Sequence, residues 1–361
     1  SYQDTFFILL DNGDLYGMGY NAHFELGLKN TDNVYTYQKI FSNVQDVVTY
    51  NYSVWVITKD GKIFGAGANE YSQLGKDYST ASYFTVYTES ILPAKVVKVD
   101  MNYNQTFVLL ENNELWYIGG ETNAYIAPAK VAFTKLLTGV KDFSVGIRGL
   151  LCIMLDNTIK GSGENANGSL GFNTTTAVTT ITNHPFSFPS PVKQIVMIAR
   201  TTYFLLENGT VYGCGLNNCG ELGLGHSNQI NTPTIIPNAT NIIKLYKFDN
   251  MDTASIKIYM KDSSGNILRC GRKSYRPDNV NDLTLVNLGT KYTEVFPNYV
   301  GDIFLGNDGY YYNWGNYRIE YSTGISNSTA TQITLPQFIT TSNKFKTTLT
   351  DYKQQIPFTY I

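Results

Sequence analysis

The chain has 361 residues, of which 43% are hydrophobic and 16% charged, and its formal net charge at pH 7 is −2. This near-neutral balance provides no basic field for DNA or RNA, and no apolar run reaches the roughly 18 residues that cross a membrane. We therefore expect neither nucleic-acid binding nor membrane insertion.

A β-hairpin is predicted at the start of the chain and recurs along it. Residues 6–10 form an apolar run, Asn12-Gly13 is a turn signal, and residues 15–17 begin a second run. A glycine ends each hairpin, and these marker glycines are Gly19, Gly67, Gly119, Gly163, Gly215, Gly271 and Gly315. By subtraction they lie 48, 52, 44, 52, 56 and 44 residues apart, a spacing typical of propeller blades when no helical period is present.

The seven repeats predict an all-β, seven-bladed β-propeller with four-stranded blades, forming a single domain over residues 1–361. The first repeat lacks the strand that precedes the hairpin in other repeats, whereas residues 345–349 form a strand-like segment without a partner. We expect residues 344–352 to pair with the blade that begins at Thr5 and so to close the ring. The alternative is that the chain is a slice of a longer protein and that residues 355–361 begin another segment.

A loop motif follows the hairpin in four repeats. It consists of the marker glycine, an asparagine two residues later and a Leu-Gly pair; in the first repeat these are Gly19, Asn21 and Leu26-Gly27. We expect the asparagine amide to bond the backbone of its own loop and the leucine to anchor the loop in the core. The third, sixth and seventh repeats keep the hairpin and lose this motif.

This combination of motifs resembles the regulator of chromosome condensation family. The fifth repeat matches best, with Leu222-Gly223 and, at the next strand, Thr232-Pro233. The resemblance covers nearly the whole chain and implies a seven-bladed propeller. It also implies guanine-nucleotide exchange on a small GTPase, an activity that in the family belongs to an inserted wedge and to acidic residues that no segment here matches residue by residue.

Cysteines and histidines form no pattern of catalysis or metal binding. The four cysteines lack zinc-ligand spacing, and Cys214 and Cys270 occupy a small packing position shared by other repeats; a bridge between Cys214 and Cys219 is the alternative. The histidines His23, His184 and His226 are scattered, and no nucleophile lies in a recognisable elbow. We expect no enzyme activity, no metal and no cofactor.

Aromatic residues in loops are the positive signal for binding. Those that follow marker glycines are Tyr20, Phe24, Tyr71, Tyr125, Tyr275, Tyr317 and Tyr321, and a longer insertion adds Tyr78, Tyr83, Phe84 and Tyr87. Tyrosine suits protein interfaces and sugar stacking because it is large and amphipathic. We predict the ligand site in the repeats that lost the loop motif, at Tyr125, Arg272, Tyr275, Arg276, Tyr317, Arg318 and Tyr321.

The sequence thus predicts a non-enzymatic binding module that presents an aromatic loop face to a protein or a cell-surface glycan. The Tyr-rich and Asn-rich, charge-poor composition favours a receptor-binding domain of a phage tail or tail-like particle within a larger assembly. Such a protein would be extracellular or virion-associated rather than cytoplasmic. The alternative is a guanine-nucleotide exchange factor or a protein inhibitor that acts on a soluble protein partner.

Overall fold

The computed structural model describes residues 5–120, 126–247, 256–272, 281–297, 301–320 and 323–332. The regular elements in these ranges are β-strands in seven sheets. The first three sheets contain β1 (Thr5–Leu9), β2 (Leu15–Gly19), β3 (Val34–Phe41), β4 (Val44–Tyr50), β5 (Ser53–Thr58), β6 (Ile63–Ala68), β7 (Tyr83–Ser90), β8 (Val96–Met101), β9 (Gln105–Leu110), β10 (Glu114–Gly119) and β11 (Lys130–Thr138).

The other four sheets contain β12 (Val140–Val145), β13 (Gly149–Met154), β14 (Ile159–Gly163), β15 (Val178–Asn183), β16 (Val192–Ile198), β17 (Thr201–Leu206), β18 (Val211–Gly215), β19 (Ile230–Ile235), β20 (Ile242–Tyr246), β21 (Lys257–Asp262), β22 (Ile267–Gly271), β23 (Asp282–Asn287), β24 (Tyr292–Phe296), β25 (Gly301–Gly306), β26 (Tyr311–Glu320) and β27 (Thr323–Gln332).

Each sheet is a meander, because strands that follow one another in the chain pair with each other. The first strand of a sheet is buried and the last is half-buried, as β4 and β7 illustrate. Six sheets have four strands, and the first has three within the described ranges. The predicted all-β, seven-bladed fold is therefore confirmed, whereas the predicted closing strand at residues 344–352 lies outside the described residues.

The predicted hairpins form, and each ends at a bulge beside its marker glycine in the sheets described below. In the second sheet Ser53 pairs with Gly67 and Ile57 pairs with Ile63. The pairing of β6 with the outer strand β7 then shifts between Gly65 and Gly67, and the marker glycines of five other sheets show the same irregularity. A bulge bends the strand and ends regular pairing, so the chain leaves the sheet into the loop at this point.

Glycine is required at the marker position by both backbone conformation and space. Gly67 has a φ of 99°, and a Cβ atom there would lie 2.0 Å from the carbonyl oxygen of Tyr52. Any L side chain would be strained by this φ and would also collide with the backbone of the turn before β5. The recurrence that marks the repeat in the sequence therefore has a steric cause.

The loop motif behaves as the sequence predicts. The side-chain oxygen of Asn217 accepts the backbone N–H of Leu222 at 2.9 Å, and its nitrogen donates to the carbonyl oxygen of His226 at 2.8 Å. The asparagines of the other three copies accept the equivalent N–H at 2.7 to 2.9 Å. The leucine anchors Leu26, Leu74, Leu170 and Leu222 are fully buried.

Two of these loops join their sheet to the next one, the first sheet to the second and the fifth sheet to the sixth. The N–H of Lys29 donates to the carbonyl of Thr85 at 2.9 Å, and that of Gly225 donates to the carbonyl of Leu283 at 2.7 Å. In both pairs the acceptor lies on the outer strand of the following sheet. The loop motif therefore ties a sheet to its neighbour as well as ending its own hairpin.

Apolar residues pack between successive sheets. Between the fifth and sixth sheets the buried cluster includes Tyr203, Leu222, Ile258, Met260 and Cys270. The four cysteines are buried thiols, so the alternative Cys214–Cys219 bridge is not formed. Cys214 and Cys270 thus occupy the packing position that the repeat alignment indicates.

The sixth and seventh sheets are joined by charges instead of a loop motif. Lys257 Nζ lies 2.8 Å from Asp302 Oδ1, with both side chains 1% exposed. Tyr259 donates its hydroxyl to Asp302 Oδ2 at 2.7 Å. Replacing either residue by an uncharged one would break a buried ion pair and should destabilise the protein.

The residues group into two compact units. One contains Ser1–Val140 with Arg318–Thr323 and Leu335–Ile361, and the other contains Lys141–Tyr317 with Gly324–Thr334. The single domain over residues 1–361 stays a prediction. In the described ranges there is no helix whose length and apolar content would allow it to cross a membrane.

Candidate functional site

The candidate site lies at the end of the sheets that carries the marker glycines, here called the marker end. In the second sheet β5 is antiparallel to β6, so the turn before β5 lies beside marker Gly67 at the end of β6. The N–H of Ala68, the residue after marker Gly67, donates to the carbonyl of Tyr52 in that turn at 3.0 Å. The turn residue Tyr52 and the residue after the marker glycine, Ala68, are therefore neighbours whose backbones are joined by a hydrogen bond.

An aromatic cluster covers the marker end of the first two sheets. We call it the tyrosine–histidine patch and define it as Tyr20, His23, Phe24, Tyr52 and Tyr83. The His23 ring stacks on Tyr52 with centroids 3.8 Å apart, and it lies 6.0 Å from both Tyr20 and Tyr83. Phe24 lies 5.8 Å from Tyr83. All five residues are half-buried, so the rings hold one another while part of each reaches solvent.

A buried carboxyl group supports the patch from beneath. Glu25 Oε2 accepts the backbone N–H of His23 at 2.9 Å, and Oε1 lies 3.5 Å from His23 Nδ1. Burial is the main cause that raises the pKa of Glu25 above its usual value. The His23 side chain is 25% exposed, so the buried Glu25 supports a residue that reaches the surface.

Acidic and phenolic groups surround the patch. Exposed Glu70 lies 3.5 Å from the hydroxyl of Tyr83, and the neighbouring rings of Tyr71 and Tyr103 have centroids 5.6 Å apart. Burial raises the pKa of Tyr52, and the charges of Glu25 and Glu70 raise it further. The carboxyl groups of Glu25 and Glu70 therefore lie close to the aromatic rings of the patch.

The structure brings together only some of the aromatic loop residues. Tyr20, Phe24 and Tyr83 lie in the patch, whereas Tyr71 lies against Tyr103. Phe84 is buried, and Tyr87 packs edge-on against Phe41 rather than joining the patch.

The predicted ligand residues are largely beyond what the structure describes. Tyr125, Tyr275, Arg276 and Tyr321 lie outside the described residues, and Tyr317 and Arg318 fall within strand β26. Arg272 is half-buried, and its N–H donates to the carbonyl of Ile256 at 2.9 Å. The ligand site in the degenerate repeats stays a prediction.

Two aromatic residues of the marker end were missed by sequence reasoning. Tyr52 and Tyr103 lie in the turns before β5 and β9, not in the loops after marker glycines. The signal was present, because antiparallel pairing of a hairpin places the start of its first strand opposite the end of its second. Counting back from Gly67 across the hairpin would have placed Tyr52 beside the predicted loops.

The remaining histidines have structural roles. His184 Nε2 lies 2.9 Å from the carbonyl oxygen of Leu170, among the rings of Phe172, Phe188 and Phe204, and burial lowers its pKa. His226 Nδ1 accepts the N–H of Asn228 at 3.2 Å and so orders the loop after β18. Among the described residues there is no cluster of three or more His, Cys, Asp or Glu able to hold a metal ion.

The repeats and the fold define the class of protein. Residues 192–221 and 208–245 each match the regulator of chromosome condensation (RCC1) repeat. Residues 192–245 of this seven-bladed β-propeller are therefore similar to the repeat of that family, in the part of the chain where the loop motif matches it best.

Part of the chain is also similar in sequence to a known protein. The ultraviolet-B receptor UVR8 of Arabidopsis thaliana is 23% identical over 237 residues, which cover 62% of this chain and 54% of the receptor. The chain thus spans about half the length of that relative.

Two solved structures share the fold. Human WBSCR16 superimposes with a TM-score of 0.74 at 13% identity, covering 90% of this chain and 95% of the other. Prp20p of Saccharomyces cerevisiae, which binds Gsp1p and histones, gives 0.72 at 14% identity, covering 91% and 87%.

Proposed function

We propose that this chain is a non-enzymatic protein-binding propeller whose tyrosine–histidine patch contacts a soluble protein partner. The observation that carries the proposal is the patch itself: four aromatic side chains and an imidazole from three chain segments, held half-exposed on loops with a fixed backbone. Preorganised tyrosine-rich surfaces are typical of interface centres. The shared fold with Prp20p, a protein with protein partners, supports the proposal.

The geometry of the rings favours a protein over a glycan. His23 lies 3.8 Å above Tyr52, so a sugar could stack on that face only by displacing the imidazole. A protein partner can instead pack against the exposed edges and bond the phenol hydroxyls. The comparisons give no support to a glycan ligand or to a role in a phage tail.

Variants of the patch test this function. Affinity capture with the full chain, followed by identification and purification of the retained protein, would provide a partner for binding measurements. We expect Tyr52→Ala with Tyr83→Ala to weaken binding of that purified partner ~30-fold, since losing a central aromatic anchor costs about 2 kcal/mol.

The matched control is Tyr78→Ala, an exposed tyrosine of the same insertion outside the patch. It should leave the dissociation constant within about twofold, as most interface-distant truncations do. Equal affinity of the double variant and the wild type, with unchanged melting temperature, would show that the patch does not bind the partner. Saturable binding to a glycan array that the double variant loses would show that the ligand of the patch is a sugar and not a protein.

Guanine-nucleotide exchange is the second candidate, and similarity to a protein that binds Gsp1p favours it. The measurement is release of a fluorescent GDP analogue from purified small GTPases with and without the chain. Acceleration that the Tyr52→Ala, Tyr83→Ala variant loses would assign exchange to the patch. Unaltered release rates across the panel would show that the chain does not act as an exchange factor for these GTPases, and protein binding alone would remain as the proposed function.

A further inference from the structure

A carboxylate borders the tyrosine–histidine patch on the second sheet. Glu70 is exposed, and it lies three residues after marker Gly67 in the loop that leads to β7. Its Oε1 atom lies 3.5 Å from the hydroxyl oxygen of Tyr83, well beyond the ~2.7 Å of a close O–H···O bond. Within the described ranges Glu70 makes no other hydrogen bond and no ion pair. Most of the acceptor sites of this carboxylate are therefore available to a ligand.

The loop holds Glu70 and Tyr83 side by side. Asn69 and Ser82 precede these two residues, and the N–H of Asn69 donates to the carbonyl of Ser82 at 2.8 Å. The side chain of Asn69 also donates to the carbonyl of Ala81 at 2.6 Å. The loop motif thus joins the backbone segments that carry the carboxylate and the phenol, so a partner would not have to order them.

Neighbouring rings fix the orientation of the Tyr83 ring. Its centroid lies 6.0 Å from that of His23 and 5.8 Å from that of Phe24, and both contacts are tilted rather than stacked. Burial raises the pKa of Tyr83, and the charge of Glu70 raises it further, so the phenol keeps its proton and can donate to the carboxylate. An aromatic ring beside a carboxylate favours a cation, which both groups attract.

Neither side chain is required by the repeat. The residues three places after the other marker glycines that carry the loop motif are Ala22, Ala166 and Asn218. Tyr83 precedes the residue that pairs with the marker glycine, and its counterparts are Asn33, Ala177 and Gln229. The loop motif therefore forms without a carboxylate or a phenol at these places, and their occurrence together in the second repeat needs a reason other than folding.

We infer that Glu70 and Tyr83 together bind an arginine side chain of the protein partner. The planar guanidinium can donate two N–H groups to the carboxylate of Glu70 while its face stacks on the ring of Tyr83. A partner that covered Glu70 with neutral groups would leave its charge without a counter-ion, whereas arginine provides one. Lysine would supply the charge but not the planar fork. The inference rests on the proposed function, because it names what the partner presents to the patch.

Fluorescently labelled octaarginine is the probe, and its anisotropy with the full chain at about 0.15 M salt, which screens distant charges, is the measurement. We expect Glu70→Gln to weaken binding at least ~10-fold, because it removes the charge-assisted hydrogen bonds. Tyr83→Ala should weaken binding about fivefold through loss of the stacked ring. Tyr83→Phe keeps the ring and should stay within about twofold of the wild type.

Competition separates arginine from lysine. Unlabelled N-acetylarginine amide and N-acetyllysine amide are each added to the complex of the chain with labelled octaarginine. The arginine derivative should displace the peptide at a concentration at least ~5-fold lower, because the lysine ammonium neither pairs bidentately nor stacks as a plane.

The matched control is Glu111→Gln, which removes an exposed carboxylate from the turn between β9 and β10. That turn lies at the opposite end of the third sheet from marker Gly119, so the affinity for octaarginine should change less than about twofold. Melting temperatures of all variants show whether a loss of binding follows from unfolding.

Several outcomes would overturn the inference. They are absence of octaarginine binding to the wild type, equal weakening by Glu70→Gln and Glu111→Gln, and unchanged affinity of a folded Tyr83→Ala variant. Displacement by the lysine derivative at the same concentration as the arginine derivative would show a cation site without preference for arginine and would also contradict it.

Binding of the purified partner separates this inference from the proposed function. Normal partner affinity of Glu70→Gln, together with the loss expected for Tyr52→Ala with Tyr83→Ala, would show that the patch binds its partner without an arginine. Octaarginine binding that depends on Glu70 and Tyr83, together with partner binding that depends on neither Tyr52 nor Tyr83, would support the arginine site and contradict the proposed function.

Discussion

The residue before the leucine of the loop motif is an amide in one repeat and a carboxylic acid in another, and this difference affects stability. In the second repeat this residue is Gln73. Its side-chain oxygen accepts the N–H of Tyr71 at 2.8 Å, and its nitrogen donates to the carbonyl of Ala68 at 3.0 Å. The amide therefore uses both its acceptor and its donor inside the loop.

Glu221 fills the same position in the fifth repeat. One carboxyl oxygen accepts the N–H of Cys219 at 2.8 Å, and the other has no hydrogen-bond partner among the residues that the structure describes. The residue is fully buried, and burial raises its pKa to about 7. A protonated carboxyl group can donate, as Gln73 does, and thus suits this position better than a carboxylate.

Glu221→Gln should reduce the pH dependence of stability. The folded pKa is about 7 and the ordinary value is 4.5, so between these values the folded chain holds a proton that the unfolded chain has lost. The free energy of unfolding of the wild type should therefore fall relative to the variant as pH rises from 4.5 to about 7, by up to about 3 kcal/mol. Urea unfolding of both proteins across this range measures the difference.

Exposed Glu207 provides the control, because Glu207→Gln removes a carboxylate from the same sheet without changing a buried group. Its unfolding curves should follow the wild type at every pH. Parallel pH profiles for wild type and Glu221→Gln would show that Glu221 is ionised in the folded protein.

At the scale of an element, the loop after the hairpin depends on its asparagine. Asn217 is fully buried and satisfies the N–H of Leu222 as well as the carbonyl of His226. Gly225 in the same loop then bonds Leu283 of the next sheet. One side chain thus orders a loop that also holds a neighbouring strand.

Asn217→Ala should lower the free energy of unfolding by ~2–4 kcal/mol, because it leaves a buried N–H and a carbonyl without partners. The adjacent Asn218 is exposed, and Asn218→Ala should stay within about 0.5 kcal/mol of the wild type. Chemical denaturation of the two variants makes the comparison. Equal stability of both would mean that water replaces the amide in this loop.

The elements differ in how far sequence could predict them. Asn217 and Leu222 were predictable because their roles are local: a short amide reaches its own loop, and the one large apolar residue of the loop fills the core. Tyr52 and Arg200 were not, because their neighbours come from pairing across a hairpin and from the next sheet. The raised pKa of Glu221 could not be predicted from the sequence either, because it depends on burial of the carboxyl group in the packed loop.

At the scale of the whole molecule, the first sheet differs from the other six. It has three strands within the described ranges, although β1 is buried along its length. The prediction that residues 344–352 provide its fourth strand concerns residues outside those ranges. A strand beside β1 would complete the pattern of the other sheets and cover an open edge.

Deleting residues 344–352 should therefore lower the melting temperature by at least ~5 °C, since a core strand carries several kcal/mol of burial. Deleting residues 353–361 instead, a segment of the same length, should change it little. Thermal unfolding of the two shortened chains tests the idea. Equal melting temperatures for both would contradict the predicted pairing of residues 344–352 with the first sheet.

The two neighbouring positions at the marker end have a consequence for engineering. They hold Tyr52 and Ala68 in the second sheet, Arg148 and Glu164 in the fourth, and Arg200 and Leu216 in the fifth, while their backbones keep the same hydrogen bond at 2.9 to 3.0 Å. Ala68 and Leu216 are buried, whereas the turn residues Tyr52, Arg148 and Arg200 reach solvent. Randomising the turn residues alone would therefore give a library whose members differ in what they recognise and keep the same scaffold.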